Sequence, residues 1–340
     1  MHNVSAAAAI AACLVASGPL FAADESRPAS SPPFMLDLPA QCTVGENCWV
    51  VNYVDVDPGP LAKDLHCEAR TYQGHDGTDL AIRDRASMEE GLAVLAAATG
   101  TVRRVRDGIA DLGLSDAQSR DAVAGRECGN GVVIEHGDGW ETQYCHLKQH
   151  SLRVRSGQAI EHGTPLGLIG LSGKTEFPHV HLTVRHHGVV IDPFTGLPND
   201  AGCGRPGQSL WRDPRVAYED VALYSAGFSG TEPKAEDIRR GGSDRTTMPA
   251  DAPALVLWVD MFGVKAEDRL RFRITAPDGR ILVDQTQRVE RTQARRFAFA
   301  GRRRQGPSWP AGPYEGEILL QRGDDGSGLT RSVRVRTMIH

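Results

Sequence analysis

The feature that most restricts the fold is a succession of short apolar runs between residues 38 and 213. CWVVNYV, TDLAI, GLAVLAAATGTVRRV, NGVVIEH, WETQYCHL, TPLGLIG and HVHLTVRHHGVVI follow one another, punctuated by Gly, Asp and Pro. That pattern predicts an antiparallel, mostly β domain. Residues 107–127 interrupt it, and within them SDAQSRDAVAG predicts one short helix, opened by Ser115 and closed by Gly125. Residues 226–252 are rich in Gly, Pro, Ser and charge and read as part of a linker over 214–252. Beyond lie ALVLWVDMF, RLRFRITAP, GRILVDQTQ, RRFAFA, YEGEILLQR and SVRVRTM, with a PDG turn between two of them. These alternating runs fit a small β-sandwich of immunoglobulin-like type over 253–340.

The 340-residue chain has room for one large domain or two ordinary ones, and 40% hydrophobic with 24% charged residues is a soluble globular composition. The run AAAAIAACLVASGPLFA at 6–22 ends in small residues before Asp24 and reads as a secretory signal, residues 1–23, followed by a disordered leader over 24–37. Ile10–Cys13 resembles a lipoprotein processing box, but too little apolar sequence precedes it and too much follows. No later segment is long and apolar enough to span a bilayer. The chain is thus expected to be exported, to a periplasmic or extracellular location. Outside the signal six cysteines remain, an even set that in an exported protein implies disulfides. Of the 15 possible pairings, the preferred one is Cys42–Cys48, Cys67–Cys203 and Cys128–Cys145, the last across a hairpin.

The net charge of −5 hides an asymmetry. Residues 265–340 hold 16 Lys/Arg against 9 Asp/Glu, a surplus of +7 that leaves −12 on the remainder. Such a basic region suggests contact with an anionic polymer, membrane surface or protein partner, set against a plain solvated strand face. The cluster RVERTQARRFAFAGRRR at 288–304 permits nucleic-acid binding on charge alone, but export and the alternating strand pattern argue against it.

Chemistry concentrates at FPHVHL, residues 177–182. Strand residues i and i+2 share a face, so His179 and His181 point at one spot. In GHDGTDL, His75 and Asp79 share a face in the same way, while Asp76 would point away as a turn residue. Zinc hydrolases commonly use three N/O ligands and leave a fourth position to water. Two His and one Asp satisfy that and leave one His for acid–base work. His146 ends the strand WETQYCHL, on the expected opposite face from Cys145, which argues against a Cys–His nucleophilic pair.

GHDGTDL, GNGVVIEHGDGWETQYCHL, VRSGQAIEHGTPLGLIGLSGKTEFPHVHLTV and VVIDPF, taken in order over residues 70–195, resemble the lysostaphin-type (LytM family) zinc metallopeptidases. The resemblance implies one zinc ion held by His75, Asp79 and His181, with His146 and His179 as the further catalytic histidines. It implies a metallopeptidase domain over 38–213, built of antiparallel sheets with an open groove whose floor carries the metal. It also implies peptidoglycan as substrate, cut in stem peptides or cross-links; a DD-type endopeptidase is preferred because no glycine-specific feature is readable.

The approach to His-x-His, GLSGKTEFPHVH, departs from the usual Ser-Thr-Gly-rich stretch. Residues 83–91 and 107–127 look like insertions on loops near the groove, where loops set specificity. The competing readings are a non-catalytic or latent module on the same fold, which typically lacks one of the five residues, and a lipoyl-like carrier hairpin, which would need a carrier Lys. GLIGLSGKT fails as a phosphate loop because Leu168 stands where Gly is required, and Ser172 lacks the last Gly of a nucleophile elbow. Asp55, Asp57 and Asp64 read as turn residues rather than calcium ligands.

Overall fold

In a computed structural model, which describes residues 1–3, 33–114, 123–241, 246–323 and 328–340, the short apolar runs become strands. The expected signal, most of the leader and most of the 115–125 helix lie outside the described residues. In the first domain the strands are β1 (Trp49–Asn52), β2 (Thr78–Ala81), β3 (Ala93–Leu95), β4 (Gly100–Arg106), β5 (Asn130–Glu135), β6 (Trp140–Leu147), β7 (Ala159–Ile160), β8 (Pro165–Leu168), β9 (His179–His186), β10 (Val189–Asp192) and β11 (Leu197–Pro198). Nine of them form one antiparallel sheet, ordered β1-β2-β9-β6-β5-β4-β7 with β10 and β11 continuing from β9, while β3 pairs with β8.

Alternation assigns the two faces of that sheet. Leu80, Tyr144, Val180, Leu182 and Val184 enter the main core together with Tyr53 and Ile134. Asp79, His179 and His181 therefore lie on the other face. The three disulfides are Cys42–Cys48, Cys67–Cys203 and Cys128–Cys145, the pairing preferred from the sequence.

The second layer system comprises β12 (Ala222–Ser229), β13 (Thr247–Met248), β14 (Ala254–Val264), β15 (Arg269–Thr275), β16 (Ile281–Arg288), β17 (Gln293–Arg303), β18 (Gly312–Gln321) and β19 (Thr330–Ile339). Sheet β12-β14-β17 packs on sheet β13-β19-β18-β15-β16 around a shared core that includes Phe228, Leu257, Phe272 and Ile318. The sheets approach so closely at Gly316 that a Cβ there would sit 2.6 Å from Leu257 Cδ1.

Three segments differ from expectation. The stretch read as linker, 214–252, holds β12, a helix α2 and β13: Phe228 of β12 fills the sandwich core and α2 (Ala235–Arg240) buries Ile238. The Gly-, Pro- and Ser-rich composition of the surrounding stretch hid a strand most of whose residues are buried. The end of the leader is docked rather than loose, because Leu36 is buried, its N–H donates to the Leu210 carbonyl at 2.7 Å, and Phe34 stacks on Trp140. Residues 83–91 form helix α1 (Arg85–Glu90), capped by Asp84, whose carboxylate accepts from Ser87 N–H at 2.8 Å.

The sandwich sits directly on the polar-facing side of β1 and β2. Trp49, Val51 and Ala81 bury against Ala222, Tyr224 and Phe262, with Phe177 at the edge. Burying side chains of this size contributes on the order of 1.5–3 kcal/mol each. Phe34–His340 accordingly forms one unit.

Candidate metal centre

Register brings the donors together. Asp79 on β2 stands opposite His181 on β9, and His181 stands opposite Cys145 on β6. His75 enters from the turn before β2. Its neighbour Gly77 must be glycine, since a Cβ there would lie 2.5 Å from His181 Nε2.

His75 Nε2, Asp79 Oδ1 and His181 Nδ1 form a triangle with sides of 3.2, 3.1 and 2.9 Å. Ligand atoms about 2.0–2.1 Å from zinc at tetrahedral corners would be roughly 3.3 Å apart, so the set fits that ion. All three residues are buried. The remaining atom of each is held by a second partner. His75 Nδ1 lies 2.7 Å from the Tyr53 carbonyl, which only accepts, so the proton sits on Nδ1 and Nε2 keeps its lone pair. Asn52 donates to Asp79 Oδ2 at 2.8 Å. His181 Nε2 faces Asp76 Oδ1 at 3.2 Å and Thr183 Oγ1 at 3.0 Å, which frees Nδ1. Partners of this kind orient metal ligands and raise their basicity.

Electrostatics agree with a cation site. Burial opposes charge on Asp79, but His75 and His179 outweigh it and hold the carboxyl well below the ordinary range. Burial also opposes charge on His181, yet Asp76 and Asp79 push its imidazole up to about 9. A field that favours a proton at this point favours a metal ion as well.

Two further rings face the triangle. His179 Nε2 is 3.3 Å from Asp79 Oδ1, and its Nδ1 donates to the Phe177 carbonyl at 2.9 Å. His146 Nδ1 donates to the Ser172 carbonyl at 2.8 Å, and its ring centroid lies 4.6 Å from that of His179. Each keeps Nε2 as the exchangeable atom. Burial, with His179 and His181 nearby, holds His146 well below the usual histidine value, so its imidazole is neutral at pH 7.

Two sequence expectations are corrected. His146 does not lie on the opposite face from Cys145; both line the groove. Its φ of +63° and a register shift between β5 and β6 make a bulge there, which puts two successive residues on one side. Asp76 does not point away but bonds His181 and is itself held by Arg185 at 3.1 Å. Asn52, Thr175 and Thr183 were missed, although a single Asn within the apolar run CWVVNYV was a visible signal. Asp55 and Asp64 are turn residues as read, accepting backbone N–H groups of Gly74 and of His66 and Glu68.

The site opens into a groove of about 710 Å³. Tyr72, Leu114, Lys174 and Phe177 contribute to its walls, and so do Phe262 and Arg295 from the sandwich. Of the two expected insertions, 107–127 reaches the groove through Leu114 and Glu127, whereas no residue of 83–91 lines it. The wall at Leu114 is pinned by Asp111, which accepts from the N–H groups of Gln149 and Leu171.

Residues 73–193 match the model of Peptidase family M23. Over 94 residues the chain is 34% identical to the cell division protein DipM of Caulobacter vibrioides, covering 25% of this chain and 15% of that protein. Over 53 residues it is 42% identical to the peptidoglycan DD-endopeptidase ShyA of Vibrio cholerae, covering 16% of this chain and 12% of that one. The chain therefore spans only a small part of the length of these relatives. The solved catalytic domain of the antimicrobial peptidase lysostaphin from Staphylococcus simulans aligns with 42% of this chain and 85% of its own, at 19% identity and a TM-score of 0.28.

Proposed function

We propose, from the peptidase family M23 domain that residues 73–193 form, that this protein is an exported zinc metalloendopeptidase that hydrolyses peptide bonds in the stems or cross-links of peptidoglycan. The observation that carries the reading is the 2.9–3.2 Å triangle of His75, Asp79 and His181 with the Nε2 atoms of two more histidines beside it. The matched relatives include one named as a peptidoglycan DD-endopeptidase, which favours the DD-type bond. Three disulfides suit an oxidising, extracytoplasmic location.

Zinc held by the three donors would supply Lewis acidity, activating water near neutral pH and polarising the scissile carbonyl. The chain's own residues do the rest. One of His146 and His179 accepts the proton of the attacking water at Nε2, and the other stabilises the oxyanion or gives a proton to the leaving amine. Their Nδ1–H bonds to backbone carbonyls fix both rings for that exchange. Tyr72, packed 4.4 Å from the His75 ring and half exposed, offers a face to the substrate.

The test is to incubate the mature protein with cross-linked peptidoglycan, with and without a chelator, and to identify products by mass spectrometry. After the treated material is digested with a muramidase, fewer cross-linked and more uncross-linked muropeptides are expected, and chelation should stop the change. A chain that carries one zinc and releases nothing would overturn the reading in favour of a wall-binding or regulatory module.

A further inference from the structure

The sandwich brings to the groove an arginine whose charge is not balanced among the described residues. Asp260, fully enclosed on β14, is bonded by two guanidiniums: Arg239 Nε at 2.8 Å and Arg295 Nη2 at 2.8 Å. Arg295 Nη2 also donates to the Tyr224 hydroxyl, which itself donates to Asp260. Burial and Asp260 oppose ionisation of that phenol and outweigh the two arginines, so it stays neutral. Two cations on one carboxylate leave one positive charge over.

Position decides where that charge acts. The Arg239 side chain is 37% exposed and is not among the residues that line the groove, whereas Arg295 is 15% exposed and lines it. The rings of Phe177, Tyr224 and Phe262 pack around the Arg295 guanidinium at 5.2–5.4 Å and hold it rigidly. Phe177 in turn packs 4.7 Å from the His179 ring, so the cation stands two contacts from the candidate catalytic centre. The other charged groups of the wall compete weakly: Lys174, Glu176 and Glu127 are exposed and water-screened, and Asp76 is engaged by Arg185. A partly desolvated guanidinium with charge to spare is a site for a carboxylate, which it grips by charge-assisted hydrogen bonds.

We propose that Arg295 forms a subsite for a free carboxylate of the peptide substrate, so that the C-terminal sandwich sets specificity at a site built on the other domain. The proposal rests on the reading of the groove as a peptidase site. Stem peptides suit it because they carry free carboxyl groups near each amide bond.

The test uses the pentapeptide L-Ala-γ-D-Glu-meso-diaminopimelate-D-Ala-D-Ala with its carboxyl groups free, and the same peptide fully amidated. Binding is read by calorimetry in the full zinc-loaded chain carrying His179→Ala, so that turnover does not disturb the heats. The free acid should bind at least about tenfold tighter than the amide. Adding Arg295→Gln should bring the two within about twofold, whereas Lys174→Gln, at the exposed cation of the same wall, should keep the preference. If Arg295→Gln fails to fold by circular dichroism, Arg295→Lys, which keeps the charge, should retain a preference for the acid. Equal binding of acid and amide by the parent, or a parallel loss for both in Arg295→Gln, would overturn the proposal and leave Arg295 as a packing residue. Hydrolysis is measured separately with His179 intact. Its absence would count against the peptidase reading while the binding comparison still decides the subsite.

Discussion

The groove face of the nine-stranded sheet and the outer face of the sandwich's larger sheet both place polar side chains across antiparallel strands, and they do opposite things with them. On β16, β15, β18 and β19 the groups form a ladder of opposite charges. Arg271 and Arg273 share Asp284, Glu317 meets Arg334 at 2.7 Å, and Glu315 meets Arg336 at 2.7 Å, with the last two arginines 80% and 78% exposed. In each of these pairs the arginine is at least a third exposed to water. On β2, β9 and the turn before β2 the side chains are buried, and the donor atoms of three of them converge on one point. The lesson is that exposure and leftover valence, rather than the number of polar residues, separate a solvated face from a site. These pairs cancel within residues 265–340 and leave the +7 surplus untouched, and Arg295 is a member of that surplus at the groove.

That contrast can be broken at several points. The largest effect is expected at the centre. His146→Ala or His179→Ala should lower turnover of a cross-linked muropeptide by about 10²–10⁴-fold while the chain folds normally, measured as kcat on purified variants. Next comes the bulge. The Cys128–Cys145 bridge closes a 17-residue separation beside it, and the Cys128 carbonyl accepts from His146 N–H at 2.8 Å. Replacing both cysteines by serine should cost roughly 3 kcal/mol in denaturant unfolding.

Asp76→Ala should weaken zinc binding by about 10–100-fold in competition with a chromophoric chelator. Asp284→Ala on the ladder should leave it unchanged. The Asp260 cluster gives a pH signature. Burial opposes its charge, but Arg239 and Arg295 hold the carboxyl below the ordinary aspartate value of 3.8. Its contribution to stability is therefore complete above about pH 4 and is lost as pH falls through the lowered folded value. Acid unfolding curves should show that loss, and Asp260→Asn should flatten it. The smallest effect belongs to the ladder itself, where Glu317→Ala should change stability by no more than about 1 kcal/mol.

The sequence made much of this legible. Strand alternation put His179 with His181 because β9 is regular; His75 also meets Asp79 as expected, but it does so from the turn before β2 rather than through a strand's period. The two sets of strands were readable for the same reason, whereas the disulfide pairing was a preference among 15 with an argument only for the Cys128–Cys145 hairpin. Alternation failed at His146, where a single residue at positive φ resets which side the chain faces, and at Asp76, whose turn brings it back onto His181. The sandwich's share of the groove was not legible. Phe262 and Arg295 are more than 80 positions from His179, and β12, which seats their sheet on the peptidase domain, is hidden in a stretch of linker-like composition. Contacts of that kind depend on how two surfaces dock, and no local period encodes them.

The most direct check is zinc content per chain, measured on the purified protein and on four single variants. One ion is predicted for the parent and for His146→Ala and His179→Ala, and none for His75→Ala and His181→Ala. The same metal content in all four variants would contradict the division of these histidines into ligands and proton carriers.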